Sequence, residues 1–296
     1  MTVALARLIE EDQLIAAGRV IDEMTGAPPG DDAALADGVA PELIARAATK
    51  RDRLVAFLEK LEQTDAWPTC REKDDLTMWY KQETESVHSV RVRSEVPVSM
   101  LALLATMAEV DLWQNWVPSW RFPFRLGLQL ARVVHMPSRA SQIVYVELSV
   151  PYPWARRSAL LHCFLADCRD ETVCGQSGLV VVIESITEAR AIELGAAAAD
   201  VAGGVENGIN GETVRAEIHG GMVMRHGPMG RTAFQMLSSV DPKLALVPQV
   251  VISFMTMVVE HIFRKFIAVA SRLVGSEYER RMRDDRDRYA YLESKL

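Results

Sequence analysis

The last hundred residues of this chain constrain its fold most strongly. Residues 230–240 form a strand-like run (GRTAFQMLSSV), and residues 241–243 (Asp-Pro-Lys) follow it as a turn. Residues 247–274 are almost all uncharged and carry apolar side chains at helical spacing, which predicts one long helix. Because a helix with so few charged residues has to be buried, this order of segments favours a curved antiparallel sheet wrapped around it.

Composition limits the classes of function. The 296 residues suffice for one large domain or two small ones, and a hydrophobic content of 49% can build a sizeable core. The formal net charge of -7 argues against a nucleic-acid partner, because such proteins usually carry a basic surface, and against constitutive attachment to anionic membranes. The four cysteines form no CxxC pair, which argues against a zinc ribbon, and neither a metal nor a cofactor is predicted. Cys163 and Cys168 lie in strand-like sequence and are expected to be buried, reduced thiols.

The first residues do not have the pattern of a secretion signal. The segment MTVALARLIEEDQLIAAG lacks a basic start and a long apolar centre. The strongest apolar run, residues 250–259, ends at Glu260 and is shorter than the ~20 residues of a membrane span. The sequence therefore predicts a cytoplasmic protein whose contact with membranes, if any, is peripheral.

The spacing of apolar residues predicts helices and strands in a defined order. Residues 3–24, 41–63, 98–109 and 124–134 are predicted to be helices. Period-two alternation and β-forming residues predict strands at 76–83, 87–96, 141–150, 158–167, 172–186, 212–225 and 231–240. Since the connections between the later strands are too short for crossovers, the sheet is expected to be antiparallel and the fold class α+β.

Two segments are expected to lie outside this core. Residues 189–211 are rich in Ala and Gly, which favours a helix-poor or mobile surface excursion without an assigned function. Residues 276–296 carry balanced charges and are predicted to be a solvated extension of the last helix.

Three segments carry a family resemblance. In residues 108–120 a helix leads into an aspartate and a Trp-rich turn (DLWQNWVP), and residues 143–157 contain a strand followed by a proline pair and two arginines (PYPWARR). Residues 220–248 contain two strands, then Asp-Pro-Lys and a Val-Pro pair that begins the long helix. In this order and spacing, over about residues 73–275, the segments resemble the START (StAR-related lipid-transfer) domains of the helix-grip, Bet v 1-like superfamily. The chain departs from the family pattern at Ser158, where an aspartate is usual, and at Leu244, where a glycine is usual.

The resemblance implies a fold and a function. It implies a START-like lipid-binding domain (73–275), which apolar spacing and charge flank with an N-terminal helical segment (1–70) and a charged C-terminal helical tail (276–296). It also implies a hydrophobic cavity between the sheet and the long C-terminal helix that holds one sterol, phospholipid, sphingolipid or similar molecule. Non-catalytic lipid binding follows, with transfer between membranes or sensing, by a monomer that contacts membranes transiently. No catalytic residue is predicted.

Candidate ligand-binding residues come from the strands and the last helix. Tyr145 and Glu147 share one face of their strand, and Leu160, His162 and Phe164 share one face of the next. Helical spacing selects a stripe on the last helix that is expected to face the sheet. The predicted ligand-binding residues are Tyr145, Glu147, Leu160, His162, Phe164, Met236, Val251, Phe254, Met255, Val258 and Ile262.

Several residues have two interpretations. START domains commonly keep an arginine near position 162, paired with an acidic residue on a neighbouring strand, so His162 and Glu147 are either the remnant of that pair or a core histidine and a solvated carboxylate. The three tryptophans of residues 113–120 either enter a membrane interface or pack in the core. Six methionines either line the cavity or fill the core: Met222, Met224, Met229, Met236, Met255 and Met257.

Two other functional classes stay open. Helix-grip relatives include enzymes of the cyclase and aromatase type, and a histidine and a carboxylate within hydrogen-bond reach of bound ligand would favour an enzyme. A cavity too small for a lipid would instead favour an interaction module that binds a partner through its N-terminal helices or its charged tail.

Overall fold

The computed structural model of the protein describes residues 2–25, 40–63, 67–73, 75–120, 125–152, 154–201, 213–244 and 249–296, with the side chains of 2, 3, 24, 25, 171 and 249–255 excepted. The described residues form one sheet of eleven strands. These are β1 (Thr69–Lys73), β2 (Leu76–Gln82), β3 (His88–Val96), β4 (Ser119–Trp120), β5 (Leu126–Ser138), β6 (Ser141–Ser149), β7 (Arg156–Val173), β8 (Gln176–Ser185), β9 (Thr213–Arg215), β10 (Glu217–His226) and β11 (Thr232–Asp241).

The strands lie in the order β1-β2-β3-β11-β10-β8-β7-β6-β5-β4. Neighbours along this path are antiparallel, whereas the short β9 pairs with β7 in the parallel direction. The helices are α1 (Thr2–Glu10), α2 (Leu14–Thr25), α3 (Pro41–Glu62), α4 (Met100–Ala108), α5 (Glu188–Glu193), α6 (Gln249–Ala270), α7 (Glu277–Asp284) and α8 (Arg286–Glu293). The α+β helix-grip architecture predicted from the sequence is confirmed, with α6 as the long helix against the sheet.

One face of the sheet, which we call the inner face, packs against α4 and α6. Phe234 of β11 lies at its centre, with its ring centroid 5.5 Å from that of Phe263 and 6.4 Å from that of Phe266, both on α6. Leu103 and Leu104 of α4 join the same buried cluster. Each such side chain contributes about 1.5–3 kcal/mol when it leaves water, so this packing is a main source of the stability of the fold.

The opposite, outer face is covered by α3. Leu54, Leu58 and Leu61 of α3 have no exposed surface and pack against Phe164 of β7 and Val182 of β8. At the end of α3, the Lys60 ammonium pairs with Glu83 and donates to the hydroxyl of Ser239, with distances of 2.7 and 2.9 Å. The described N-terminal helices therefore pack on the sheet. The division of the chain into the segments 1–70, 73–275 and 276–296 stays a prediction.

The predicted helix at residues 124–134 is wrong, because residues 126–138 form β5. Three register shifts interrupt the pairing of β5 with β6. Each shift displaces the in–out alternation of the strand, so apolar residues recur at a spacing that mimics a helix. Hydrogen bonding to β6 makes this segment a strand in spite of its local helical pattern.

The N-terminal helix is also divided. The single helix expected at residues 3–24 is two helices, α1 and α2, separated at Asp12, which has a left-handed φ of 56°. This conformation is uncommon for residues other than glycine, although aspartate tolerates it better than most.

The insert at 189–211 was expected to be a helix-poor surface excursion. Its described part instead contains most of α5, and Leu194, Ala196 and Val201 are buried against the outer face of β6 and β7. Small apolar residues that suggested mobility act here as a close-packed cover. Residues 202–211 lie outside the described residues.

The charged tail is not a solvated extension of α6. The chain turns after Ala270, and α7 and α8 pack back on the molecule with Tyr278, Tyr289 and Leu292 buried. Arg281 of α7 donates two hydrogen bonds to the Asp111 carboxylate at 2.6 and 2.7 Å and one to Glu109 at 2.9 Å. The Arg281 guanidinium lowers the pKa of Asp111, because it stabilises the ionised carboxylate.

We expect Arg281→Met to reduce the free energy of unfolding by about 1 kcal/mol at neutral pH, since it removes a bidentate pair with the half-exposed Asp111 and a hydrogen bond to the largely buried Glu109. The folded-state pKa of Asp111 is depressed, so its contribution is present above its unfolded value of about 3.9 and is lost as the pH falls through the folded value. Urea denaturation should therefore give a smaller difference between the two proteins below about pH 4.

Arg280→Met is the matched control. Arg280 is 64% exposed and pairs with Glu277 on its own helix, so its loss should change stability by less than about 0.5 kcal/mol. Equal effects of the two substitutions would contradict the assignment of tail docking to Arg281.

Candidate ligand cavity

A cavity of about 420 Å³ lies between the inner face of the sheet and α6. This volume is within the usual range of ligand pockets, about 300–1,000 Å³. Apolar side chains from β3, β10, β11 and α6 form most of its wall: Val90, Met222, Phe234, Met236, Val258 and Ile262. Such a lining offers an apolar ligand dispersion contacts but few hydrogen bonds.

A second part of the wall comes from the connection between β11 and α6. Pro242 and Leu244 line the cavity, and Arg157 at the start of β7 lies beside them. Arg157 is 4% exposed, and its guanidinium donates to the carbonyl oxygens of Ala155, Pro242 and Lys243. Burial lowers the pKa of Arg157, but an arginine stays charged at any physiological pH. Arg157 therefore joins two of the segments that carry the family resemblance.

Two buried nitrogen atoms in the wall have no hydrogen-bond partner among the described residues. These are Nε2 of His88 and Nε1 of Trp116. The other ring nitrogen of His88, Nδ1, lies 2.7 Å from the hydroxyl of Tyr80. Because an unpaired buried polar group costs free energy, these two nitrogen atoms are the positions where a polar group of a ligand would be stabilised.

Three predicted ligand-binding residues lie in this wall: Met236, Val258 and Ile262. The side chains of three others, Val251, Phe254 and Met255, fall outside the described residues, although their backbone belongs to α6. That any of these six residues binds a ligand stays a prediction.

The other five lie on the opposite, outer face of the sheet. Tyr145 and Leu160 pack with the segment that follows α5, and Phe164 packs under α3. Glu147 and His162 alternate with inner residues such as Val146 and Leu161, so they also point away from the cavity. The prediction that these residues line the cavity is wrong. Alternation correctly grouped them on one face but could not show which face holds the cavity.

His162 and Glu147 do not pair with each other. Glu147 is fully buried, accepts a 2.8 Å hydrogen bond from the Tyr145 hydroxyl and lies 3.8 Å from the Arg156 guanidinium. Burial and this carboxylate raise the pKa of Tyr145 to about 12. The interpretation of Glu147 as solvated is therefore wrong, and its role as half of a pair with His162 is also wrong.

His162 lies instead between Ser141 and Glu184. The Ser141 hydroxyl is 2.9 Å from Nε2, and Nδ1 is 3.4 Å from the Glu184 carboxylate. Burial lowers the pKa of His162, which favours the neutral ring. Although a nucleophile, a base and an acid follow in this order in serine hydrolases, Ser141 is only 1% exposed and lies on the outer face. The structure therefore supports the interpretation of His162 as a satisfied core histidine.

The predicted ligand-binding residues did not include four polar or aromatic residues of this wall: Tyr80, His88, Trp116 and Arg157. One signal could have found His88: it precedes Val90 by two residues and so shares its face in β3. Arg91, on the other face of β3, is also buried despite its charge. It is 7% exposed and lies over the Trp79 ring at 5.2 Å, beneath α3.

The methionines divide between the two interpretations. Met222 and Met236 line the cavity, and Met224 is buried in the core. Met229 and Met257 are 93% and 52% exposed. The side chain of Met255 lies outside the described residues.

The tryptophans support the core interpretation. The Trp116 ring lies 5.3 Å from Phe266, and the Trp120 ring lies 5.4 Å from His261, both on α6. The Trp113 indole donates to the carbonyl of Met107 at 2.8 Å.

We expect His88 to be neutral at pH 7. Burial lowers its pKa from the ordinary value of about 6.5, so the free energy that neutrality contributes is present above this value and is lost as the pH falls below it. NMR titration of the histidine rings, assigned with His88→Gln, should give a midpoint below about 6.5. A midpoint above that value would mean that an anion or water stabilises the charged ring.

The comparisons with known proteins give the fold. No family model and no curated protein matches the sequence. The structure of human STARD10 matches with a TM-score of 0.55 at 12% identity, over 74% of this chain and 79% of that one. Human StAR-related lipid transfer protein 5 matches with a TM-score of 0.54 at 11% identity, over 76% of this chain and 96% of that one.

No helix in the described part of the chain has the length and apolarity needed to cross a bilayer. The two matches, at 12% and 11% identity, show a shared fold and no more. The chain therefore has the helix-grip fold of the StAR-related lipid transfer (START) domains.

Proposed function

We propose that the protein binds one hydrophobic, lipid-like molecule in the cavity between the inner face and α6, and that it does so without catalysis. The observation that carries this proposal is the cavity of about 420 Å³ with an almost wholly apolar wall. Burial of an apolar ligand there would contribute about 0.8 kcal/mol for each methylene group removed from water. One of the two matched proteins is a StAR-related lipid transfer protein, which also supports the proposal.

The ligand class is a sterol, or the apolar part of a phospholipid or sphingolipid. Such molecules combine a large apolar body with one or a few polar groups. His88 Nε2 and Trp116 Nε1 would hold such a group, because they are unpaired in the described part of the wall. Binding would then orient the ligand with its polar group toward β3 and the turn after α4.

The described wall also supports binding rather than acid–base chemistry. Its polar side chains include Tyr80, His88 and Arg157, and no carboxylate lines the cavity among the described residues. An imidazole without a carboxylate partner lacks the usual means of activation as a base. We therefore favour lipid binding over an enzyme of the cyclase type. The volume of the cavity likewise favours lipid binding over an interaction module with a collapsed pocket.

Transfer or sensing would require transient contact with a membrane. Tyr152, which is 94% exposed, lies between Pro151 and the cavity residue Trp154, and Met257 is half-exposed on α6 beside Val258. Exposed apolar side chains at a cavity edge can enter the interfacial region of a bilayer. The proposal is of a cytoplasmic monomer that visits membranes in this way.

Native mass spectrometry of the purified protein, followed by lipid extraction, tests the proposal directly. We expect a stoichiometric lipid, or uptake of one after incubation with liposomes of mixed sterols and phospholipids. A mass that stays that of the empty protein after this incubation would contradict lipid binding and favour the other two classes.

We expect Val258→Asp to abolish ligand uptake. Val258 is 6% exposed and lines the cavity, so a carboxylate there would be buried against an apolar ligand. Met257→Asp is the matched control, because it places the same charge one residue earlier at a position that is 52% exposed. Lipid content by native mass spectrometry should fall only in the first variant.

Ser238→Phe separates loss of the cavity from loss of the fold. Ser238 lines the cavity from β11, and a phenyl ring would fill the space without introducing a charge. We expect a folded protein, judged by circular dichroism and thermal unfolding, that no longer takes up lipid. Undiminished uptake by both cavity variants would place the ligand elsewhere.

A further inference from the structure

A second cleft, of about 510 Å³, shares no lining residue with the ligand cavity. Four parts of the chain meet there: the break between α1 and α2, the first half of α3, the turn between β5 and β6, and α8. Because the first, second and fourth are the N- and C-terminal helices, the cleft depends on elements beyond the sheet and α6.

Three cationic side chains line this cleft without an ion-pair partner among the described residues. Arg46 and Lys50 lie one turn apart on α3, and Arg139 comes from the turn between β5 and β6. Two of the three lie over aromatic rings. The Lys50 ammonium is 5.3 Å from the Phe164 centroid, and the Arg139 guanidinium is 4.4 Å from that of Tyr291.

The acidic groups of the cleft are partly engaged already. The Asp12 carboxylate is buried and accepts a hydrogen bond from the Tyr291 hydroxyl, which also donates to the Glu10 carbonyl at 3.0 Å. The Asp12 carbonyl accepts from the Asp167 amide at 2.9 Å, which fixes the break between α1 and α2 on β7. Two carboxylates, of Glu10 and Asp12, therefore face three cations, so the cleft carries an excess positive charge.

Burial disfavours both kinds of charge here. It lowers the pKa of Lys50 and raises the pKa of Asp12. The Asp12 carboxylate attracts the Lys50 ammonium and partly offsets both shifts, so these two charges compensate each other. The two remaining cations, Arg46 and Arg139, then exceed the one remaining carboxylate, that of Glu10, and a bound anion would stabilise them. The cleft is thus better completed by an anion than by a cation or a neutral molecule.

We infer that this cleft binds a phosphate group carried on a small organic body, through Arg46, Lys50 and Arg139. The three cations approach from two separate elements, which suits the several oxygens of a tetrahedral phosphate, whereas a planar carboxylate is satisfied by one guanidinium. The remaining wall is apolar and would contact the organic body: Ile9, Leu14, Leu43, Ala47, Pro137 and Ala140.

Isothermal titration calorimetry with glycerol 3-phosphate and with inorganic phosphate tests this inference on the full chain. We expect saturable binding that weakens with added salt, and weaker binding of succinate, a carboxylate of similar size. Succinate that binds as tightly as glycerol 3-phosphate would overturn the assignment of phosphate. A parallel flotation assay compares phosphatidylcholine vesicles with and without phosphatidic acid, whose headgroup is also a phosphomonoester.

The two assays separate the sources of the phosphate. Binding of glycerol 3-phosphate supports a soluble ligand. Binding of phosphatidic acid vesicles without binding of glycerol 3-phosphate supports a lipid headgroup. Either result counts only if the binding is weakened by substitutions in the cleft. The absence of binding in both assays at millimolar phosphate would overturn the inference.

The double substitution Arg46→Gln and Arg139→Gln tests the dependence on the cleft. We expect affinity to fall about tenfold for each guanidinium removed. The matched control, Lys265→Gln with Arg272→Gln, removes two exposed charges near the end of α6 and should leave affinity unchanged. Equal affinities of the two double variants would also overturn the inference.

Two measurements keep the test independent of folding and of the first cavity. If the double variant does not fold, Arg46→Gln alone serves, because Arg46 has no ion pair among the described residues and should retain wild-type thermal unfolding. Lipid content by native mass spectrometry should be normal in the cleft variants, so failure of this inference is distinguishable from failure of the proposed lipid binding.

Discussion

Burial of α6 against the inner face of the sheet is the interaction on which the remaining structure depends. Phe263 and Phe266 pack on Phe234 toward the C-terminal half of the helix, where the contact is close. Val258 and Ile262, nearer to the middle of the helix, line the cavity, and Phe263 and Phe266 form part of the same wall. The same helix therefore packs in the core and lines the cavity, so stability and ligand binding depend on one element.

An empty apolar cavity lowers the stability of the fold, because the atoms that line it lack dispersion contacts on one side. Interactions in other parts of the structure offset this loss. On the outer face, α3 buries a stripe of leucines and anchors Lys60 to Glu83 and Ser239. At the end of α4, Arg281 attaches the C-terminal helices to Glu109 and Asp111. Both contacts lie outside the cavity. The N- and C-terminal segments thus support the domain from positions that a ligand does not occupy, and they create the second cleft where they meet.

Much of the fold could be predicted from local patterns. Apolar spacing identified α3, α4 and α6, and alternation identified β2, β3, β6 and β11 to within a few residues. The errors arose where tertiary contacts override such patterns. In β5, bulges displaced the alternation, and after α5 a sequence of small residues packed closely against Tyr145 and Leu160 instead of remaining mobile. In the tail, the charges that suggested solvation include Arg281, which forms ion pairs within the molecule.

The sequence by itself determined which residues of each strand share a face, because side chains alternate with a period of two regardless of what covers them. Only the tertiary structure decided which face contains the cavity. Helices or packed loops cover both faces of this sheet, so each face is apolar, and each also contains buried polar residues such as His162 outside and His88 inside. Without a contrast between a wet and a dry face, alternation cannot distinguish the two. The close packing of α3 fills one face, and the cavity lies on the other face, beneath α6.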